Sequence, residues 1–333
     1  MLETGRRRAL YSAAIMTQML APAADARTRR EESWVYLDGE IVRYADAKLG
    51  LMTHGLHYGT GCIEGIRANW NADRNQLYVF RMPEHYERLA DSARILRMSL
   101  PMDTDGLCDL TLELLRRNGA RDDMYIRPIC FKGAEEIGVR LHDVSDSFAV
   151  YSAPLGPYVN TGGIRCVISS WRRIDDTMAP VRTKCTGLYV NSALAKSEAL
   201  QGGFDEAIFL TADGHVCEGS GENILIVREG VFITPPPSDN ILEGITSASV
   251  THLIREELGL DVVERSIDRT ELYVADEVLM CGTAAHVAAV VEIDRIAIGD
   301  GTPGPLTRRV QELYAHVCLG ENPKYADWLA AVY

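Results

Sequence analysis

The sequence predicts an α+β protein in two parts, and three observations carry that prediction. Two short strands flank Asp38-Gly39 within the run Trp34 to Val42, which is a strong hairpin signal. Two stretches with apolar residues at helical spacing follow, one through Tyr86, Leu89, Ala93 and Leu96 and one through Leu107, Leu110 and Leu114. Beyond residue 163 short strand patterns outnumber helical ones. A smaller α/β domain therefore spans residues 34–154 and a larger strand-rich domain spans 164–333. Between them, residues 155–163 (Leu-Gly-Pro-Tyr-Val-Asn-Thr-Gly-Gly) form a linker punctuated by glycine and proline.

The elements follow in order. Leu77 to Phe80 reads as a strand ending at Arg81, before the first helix. The second helix starts near Asp103-Thr104-Asp105 and stops at Asn118-Gly119. Met124 to Phe131 and Phe148 to Ala153 are strands. In the second part, the strand Ile164 to Ser170 precedes a helix from Leu188 to Leu200, closed by Gly202-Gly203. Strands then alternate with Asp-Gly and Glu-Gly turns from Glu206 to Thr234, and again from Val262 to Ile293. Thr246 to Leu258 is a helix with Thr246 as N-cap and Gly259 as its stop, and Leu306 to Cys318 is the last helix. The stretch from Leu51 to Arg67 fits no plain amphipathic element, because four glycines and two histidines interrupt it. His54 and His57, three apart, lack a third ligand nearby and read as hydrogen-bonded structural residues, so no metal is expected.

Composition sets the outer bounds. The 333 residues suit about two domains, and a net charge of −13 argues against a nucleic-acid or anionic-membrane partner. The eight cysteines include no CxxC pair and mostly sit inside apolar runs, which fits a reducing compartment such as the cytoplasm. Residues 1–33 are an extension, arginine-rich and poor in acids to residue 32. A mitochondrial transit peptide and a disordered leader both fit that composition. Glycine-rich GxGxxG and GxxxxGK[ST] loops are both absent, which argues against a nicotinamide dehydrogenase.

Only five lysines are present, and Lys184 alone lies among small residues at a loop-to-helix junction, with Tyr189 five residues on. An amine in such a cleft can attack a carbonyl. Cys217-Glu218-Gly219-Ser220-Gly221-Glu222-Asn223 puts two carboxylates around a turn through which backbone can approach closely. Gly244-Ile245-Thr246 at a helix start and Gly282-Thr283-Ala284-Ala285 after a strand each offer free backbone N–H groups to an anion. Each run taken alone also reads as an ordinary turn or cap. Together they supply what pyridoxal phosphate needs: an amine for its aldehyde, two anion cradles and a carboxylate for its ring nitrogen.

From about Trp34 onwards the chain resembles the branched-chain amino acid aminotransferases, a family of fold type IV pyridoxal-phosphate enzymes. The motifs that carry the resemblance are His57-Tyr58-Gly59-Thr60 with Glu64-Gly65-Ile66-Arg67, Tyr125-Ile126-Arg127-Pro128, Lys184 with Tyr189, Glu218 to Asn223, Gly244-Ile245-Thr246, and Gly282 to Ala285. The resemblance implies a two-domain, D-amino acid aminotransferase-like architecture and pyridoxal 5'-phosphate as cofactor. It implies transfer of an amino group between L-leucine, L-isoleucine or L-valine and 2-oxoglutarate, with Lys184 as the Schiff-base lysine and proton carrier. Glu218 would pair with the pyridine nitrogen, Tyr189 with the phenolic oxygen, and Arg81, Ile245, Thr246 and Thr283 with the phosphate. Tyr125, Arg127 and the N–H groups of Thr283 and Ala284 would receive the substrate carboxylate. Tyr58, Ile63, Arg67, Leu155 and Tyr158, with Val139 from a partner subunit, complete the substrate site. The family is at least dimeric. Beside a phenol and a cationic ring, the Lys184 amine is expected to be pushed towards its neutral form.

Three positions depart from the family pattern. Ile63 stands where phenylalanine is common, Leu155 where tryptophan is common, and Arg140-Leu141 where asparagine and proline are usual. The first two predict a reshaped side-chain pocket, a change worth about 1–3 kcal/mol in discrimination. Arg140 reads as a solvated charge, with a second carboxylate as its other candidate partner. Transamination of D-amino acids or (R)-amines, an aminodeoxychorismate lyase activity, and an inactive binding homologue are the alternatives on the same fold.

Overall fold

The computed structural model describes residues 30–156 and 162–333. Tyr158, expected at the substrate site, and residues 1–29, expected as a leader, lie outside the described residues. Among the described residues the strands form two sheets. The first, of eight strands, runs in the order Leu329–Ala331, Gln76–Phe80, Ile66–Asn71, Met124–Lys132, Asp146–Pro154, Trp34–Leu37 and Glu40–Arg43. Gly61–Ile63 also pairs with Met124–Lys132, and all these pairings are antiparallel. The expected hairpin turns at Asp38-Gly39, both with positive φ.

Two strands in this sheet lie in, or begin in, the glycine-rich stretch that shows no regular pattern: Gly61–Ile63 lies within it and Ile66–Asn71 starts at its end. They are buried on both faces, so the alternation that marks a half-buried strand is missing. The last strand, Leu329–Ala331, pairs with Gln76–Phe80 in the first sheet.

Six helices matter for the site: α1 His54–Tyr58, α2 Met82–Ile95, α3 Thr104–Arg117, α4 Tyr189–Gln201, α5 Ile245–Leu258 and α6 Pro305–Cys318. Helices α2 and α3 bury the apolar stripes their spacing predicts. Tyr86, Leu89 and Ala93 from one, and Leu107, Leu110 and Leu114 from the other, join Ile66, Leu77, Val79 and Ile126 in one core. Each such large side chain, fully buried, contributes about 1.5–3 kcal/mol. Asp103 caps α3 by accepting the Gly106 N–H at 3.0 Å.

The second sheet has nine strands, ordered Val216–Gly219, Glu206–Leu210, Ile164–Arg172, His286–Ile293, Glu277–Gly282, Asn223–Arg228, Val231–Thr234 and Val262–Glu264, with Ile296–Ala297 on His286–Ile293. Three of its pairings are parallel, including Ile164–Arg172 with Glu206–Leu210. That parallel step requires a crossover, and the crossover carries Lys184 and α4. Towards the other end of this sheet α5 and α6 pack Val250, Leu253, Ile254, Val310 and Tyr314 against Leu225, Val227 and Leu279. The N-cap of α5 is Gly244 rather than the expected Thr246, and Gly259 closes it at φ 64°. At Gly244 a Cβ would lie 1.9 Å from Asn223 Oδ1, so only glycine lets the Asn223 side chain sit beneath the helix start.

Candidate active site

The segment bearing Lys184 is pinned to the first sheet from both sides. Ile63 N–H donates to Lys184 O at 3.0 Å, and Lys184 N–H donates to Ser92 Oγ of α2 at 3.3 Å. The backbones of Cys185 and Cys62, the latter in the strand Gly61–Ile63, pair as an isolated antiparallel β-bridge, and both thiols are free. Thr186 Oγ1 and Gly187 N–H both donate to Gly59 O, at 3.0 and 3.1 Å. Gly59 ends α1 at φ 64°, and a Cβ there would meet Gly187 Cα at 2.7 Å. Two glycines in sequence-distant loops are thus needed for the backbones to touch.

Around Lys184 opens a cleft of about 630 Å³, taken out to open solvent. Lys184, Tyr189, Glu218, Ile245, Thr246 and Thr283 all line it, as do Arg88 and Arg173. The Lys184 Nζ lies 5.8 Å from the centre of the Tyr189 ring. Burial favours its neutral form, but Tyr189, by charge and hydrogen bond, and Glu64 outweigh burial and Arg88. Its pKa is therefore raised above the ordinary lysine value.

On the opposite wall, Glu218 is held by three donors. Arg173 Nη2 reaches Oε1 at 2.8 Å, while Leu242 N–H at 2.9 Å and Asn223 Nδ2 at 3.3 Å both reach Oε2. Burial raises the pKa of this carboxyl, and Arg173 and the Leu242 N–H pull it back. The expected turn there is corrected in part, since Glu218 stands on the strand Val216–Gly219 and not in a loop. The strand was hidden by its burial on both faces and its terminal glycine.

Two cradles for an anion meet at one end. Gly244, Ile245 and Thr246 open α5, whose first N–H groups carry the positive end of the helix dipole. Gly282 ends the strand Glu277–Gly282 and faces Gly221, whose O would be 3.2 Å from a Cβ on Gly282, and Thr283 follows it into the cleft lining. Arg88 lines the cleft, and the expected Arg81 is not in its lining. Arg81 donates to Glu84 at 2.7 Å and to Ser249 of α5 at 2.9 Å, and lies over the Trp328 ring. Arg88 and Arg173 were missed because each reads locally as a surface charge, one on an amphipathic helix and one in an Arg-Arg pair at a strand end. The available signal for Arg88 was His85 three residues before it, two basic groups on one helical face.

Among the described residues, Thr283 is the expected substrate residue that lines the cleft, and the others are outside its lining. Arg127 Nη2 donates to Tyr125 Oη at 2.8 Å, and Gly65 leaves room for that hydroxyl, since a Cβ would come within 2.1 Å of it. Arg127 Nε and Ser152 Oγ are buried and have no hydrogen-bond partner among the described residues. Ile63 is buried, and its backbone holds the Lys184 loop. Arg67 donates from its two terminal nitrogens to Leu155 O at 2.9 Å, Gly156 O and Asp123 Oδ2 at 3.2 Å, and Ala284 O at 3.3 Å, while its Nε is buried without a partner among the described residues. Tyr58 Oη accepts the Gly138 N–H at 3.2 Å, and neighbouring Val139 is 81 % exposed. Arg140 forms a solvated ion pair with Glu136 at 3.2 Å. His54 and His57 are hydrogen-bonded to Thr60 and to Leu51 O.

The sequence profile of Amino-transferase class IV matches residues 61–293. The chain belongs to that family. Class IV amino-transferases similar to it include a protein named probable branched-chain-amino-acid aminotransferase from Aquifex aeolicus, 48 % identical over 90 % of this chain and 97 % of that one. Among solved structures, the branched-chain aminotransferase from Thermoproteus uzoniensis with norvaline matches at TM-score 0.87 and 43 % identity, over 90 % of this chain and 99 % of that one. The branched-chain amino acid aminotransferase from Thermobaculum terrenum in its PLP-form matches at TM-score 0.87 and 37 % identity, over 91 % of this chain and 99 % of that one. The architecture is that of fold type IV, with α+β composition.

Proposed function

We propose that this class IV amino-transferase is a pyridoxal 5'-phosphate-dependent branched-chain aminotransferase. It moves the amino group between L-leucine, L-isoleucine or L-valine and 2-oxoglutarate. One observation carries the reading: a single cleft gathers an amine (Lys184), a buried carboxylate at the opposite wall (Glu218), and an anion cradle built from the start of α5, Thr283 and Arg88. The donor set fits the cofactor. The cradle supplies backbone N–H groups and a guanidinium for a phosphate, and Gly244 and Gly282 let Asn223 and Gly221 pack closely behind it.

When bound, the pyridoxal ring supplies an electron sink for the charge left at the substrate Cα. Glu218, held by Arg173, Leu242 and Asn223, supports the ring nitrogen in its protonated form. Lys184 would hold the cofactor through its carbonyl carbon and would carry the substrate proton, and Tyr189 beside it favours the charged form of the amine. The Arg127–Tyr125 pair, with its unpartnered Nε, receives a substrate carboxylate. Ile63 and Leu155 shape the side-chain pocket. Exposed Leu51, Leu56, Ile137 and Val139 support a homodimer in which Val139 serves the partner's site. No helix among the described residues is long and apolar enough to cross a membrane, and eight unpaired cysteines suit a reducing compartment such as the cytoplasm.

A panel of half-reactions tests this. The holoenzyme is mixed separately with L-leucine, L-glutamate, D-alanine and (R)-1-phenylethylamine, and loss of the visible cofactor band is followed. Loss with L-leucine and L-glutamate supports the reading, and loss with only D-alanine or the amine overturns it.

A further inference from the structure

Within the motif Glu64-Gly65-Ile66-Arg67, Glu64 is fully buried, with its N–H donating to Pro128 O at 3.0 Å. An ionised carboxylate at such a site requires full compensation. It receives that from α2: His85 Nδ1 at 2.7 Å and Arg88 Nε and Nη2 at 2.7 and 2.8 Å, the last two a bidentate fork. Arg88 Nη1 then donates to Glu243 O at 2.7 Å, beside the start of α5. Among the described residues this leaves one N–H on each Nη free at the cleft wall. His85, also buried, is driven to its neutral form by desolvation, so it donates Nδ1–H without opposing Arg88 by charge.

We propose that Glu64 and His85 are positioning residues that lock the Arg88 guanidinium in the orientation presenting its remaining N–H groups to the cofactor phosphate. The inference rests on the cofactor reading above. A guanidinium is needed for this geometry, because an ammonium at position 88 cannot make the fork to Glu64 and reach the cleft as well.

The test compares binding of pyridoxal 5'-phosphate with binding of unphosphorylated pyridoxal, followed by visible absorbance on the full chain stripped of cofactor. Glu64→Gln is expected to weaken pyridoxal 5'-phosphate binding roughly 10- to 100-fold, the range for losing a hydrogen bond to a charged group. Pyridoxal binding stays within about threefold, as it lacks the phosphate that Arg88 reads. Glu64→Asp restores part of the loss. The double variant Glu64→Gln/Arg88→Lys binds no more weakly than Arg88→Lys alone, because Glu64 acts only through Arg88. If Glu64→Gln fails to fold, His85→Gln, which leaves the fork intact, shows a smaller loss confined to the phosphorylated ligand. Equal losses for both ligands, or additive losses in the double variant, overturn the proposal. Wild-type protein that binds neither ligand overturns the cofactor reading instead.

Discussion

Replacing Glu218 by glutamine separates charge from shape at the wall facing Lys184. Glu218 Oε1 receives Arg173, and Oε2 receives both Leu242 N–H and Asn223 Nδ2. A glutamine has one acceptor oxygen, so its NH₂ must face either Arg173 or the other two donors. Arg173 and Glu218 side chains are only 9 % and 8 % exposed, so the stranded arginine charge costs about 3–5 kcal/mol of stability. The chemical step loses the carboxylate that stabilises developing charge, worth roughly 100- to 1,000-fold in kcat. Both effects are read on one sample, by thermal melting and by kcat with L-leucine and 2-oxoglutarate at saturating cofactor. The double variant Arg173→Met/Glu218→Gln recovers part of the stability, because no buried charge is left alone, but recovers none of the rate. A folded Glu218→Gln enzyme with kcat within about threefold of wild type would refute the role given to this carboxylate.

Three other substitutions probe the supports of the cleft. Burial, and then the neighbouring Glu206, raise the pKa of Glu222 above its ordinary 4.5. Its contribution to stability is thus full below about pH 4.5 and is lost as pH rises through the raised value. Glu222→Gln should flatten that decline in melting temperature between about pH 5 and about pH 9, and parallel curves would contradict it. Arg67→Lys cannot span Leu155 O, Gly156 O and Ala284 O together, so it should cost about 2–3 kcal/mol on melting and raise KM for the amino acid more than it lowers kcat. Gly59→Ala forces a Cβ to within 2.7 Å of Gly187 Cα at a left-handed φ, so the Lys184 loop must shift. It should lower stability by at least about 1–2 kcal/mol and weaken the bound-cofactor absorbance.

How much of this was legible in the chain depended on how local each signal was. Helices α2 and α3 were readable because one face of each is apolar and the other meets water. Lys184 was readable because lysine is scarce and its neighbours are small. The start of α5 and the Gly282 turn carry their chemistry in consecutive residues. Arg88 and Arg81 could not be told apart locally, since what selects Arg88 is Glu64, 24 residues earlier on another element. Arg173 is chosen likewise by Glu218, across the parallel crossover. Arg67 reads as a ligand in sequence, yet four oxygens from three separate segments occupy it. Strands buried on both faces, such as Ile66–Asn71, carry no alternation to read.

The central claim, that Lys184 is the amine which holds the cofactor, has a direct measurement. Holoenzyme reduced with borohydride fixes the pyridoxyl group to whichever amine carries it, and peptide mass spectrometry locates the label. The account predicts a label on Lys184 and its absence after Lys184→Ala. A label on Lys48, Lys132, Lys196 or Lys324 instead, or no lysine labelled in a protein that retains the cofactor band, would contradict it.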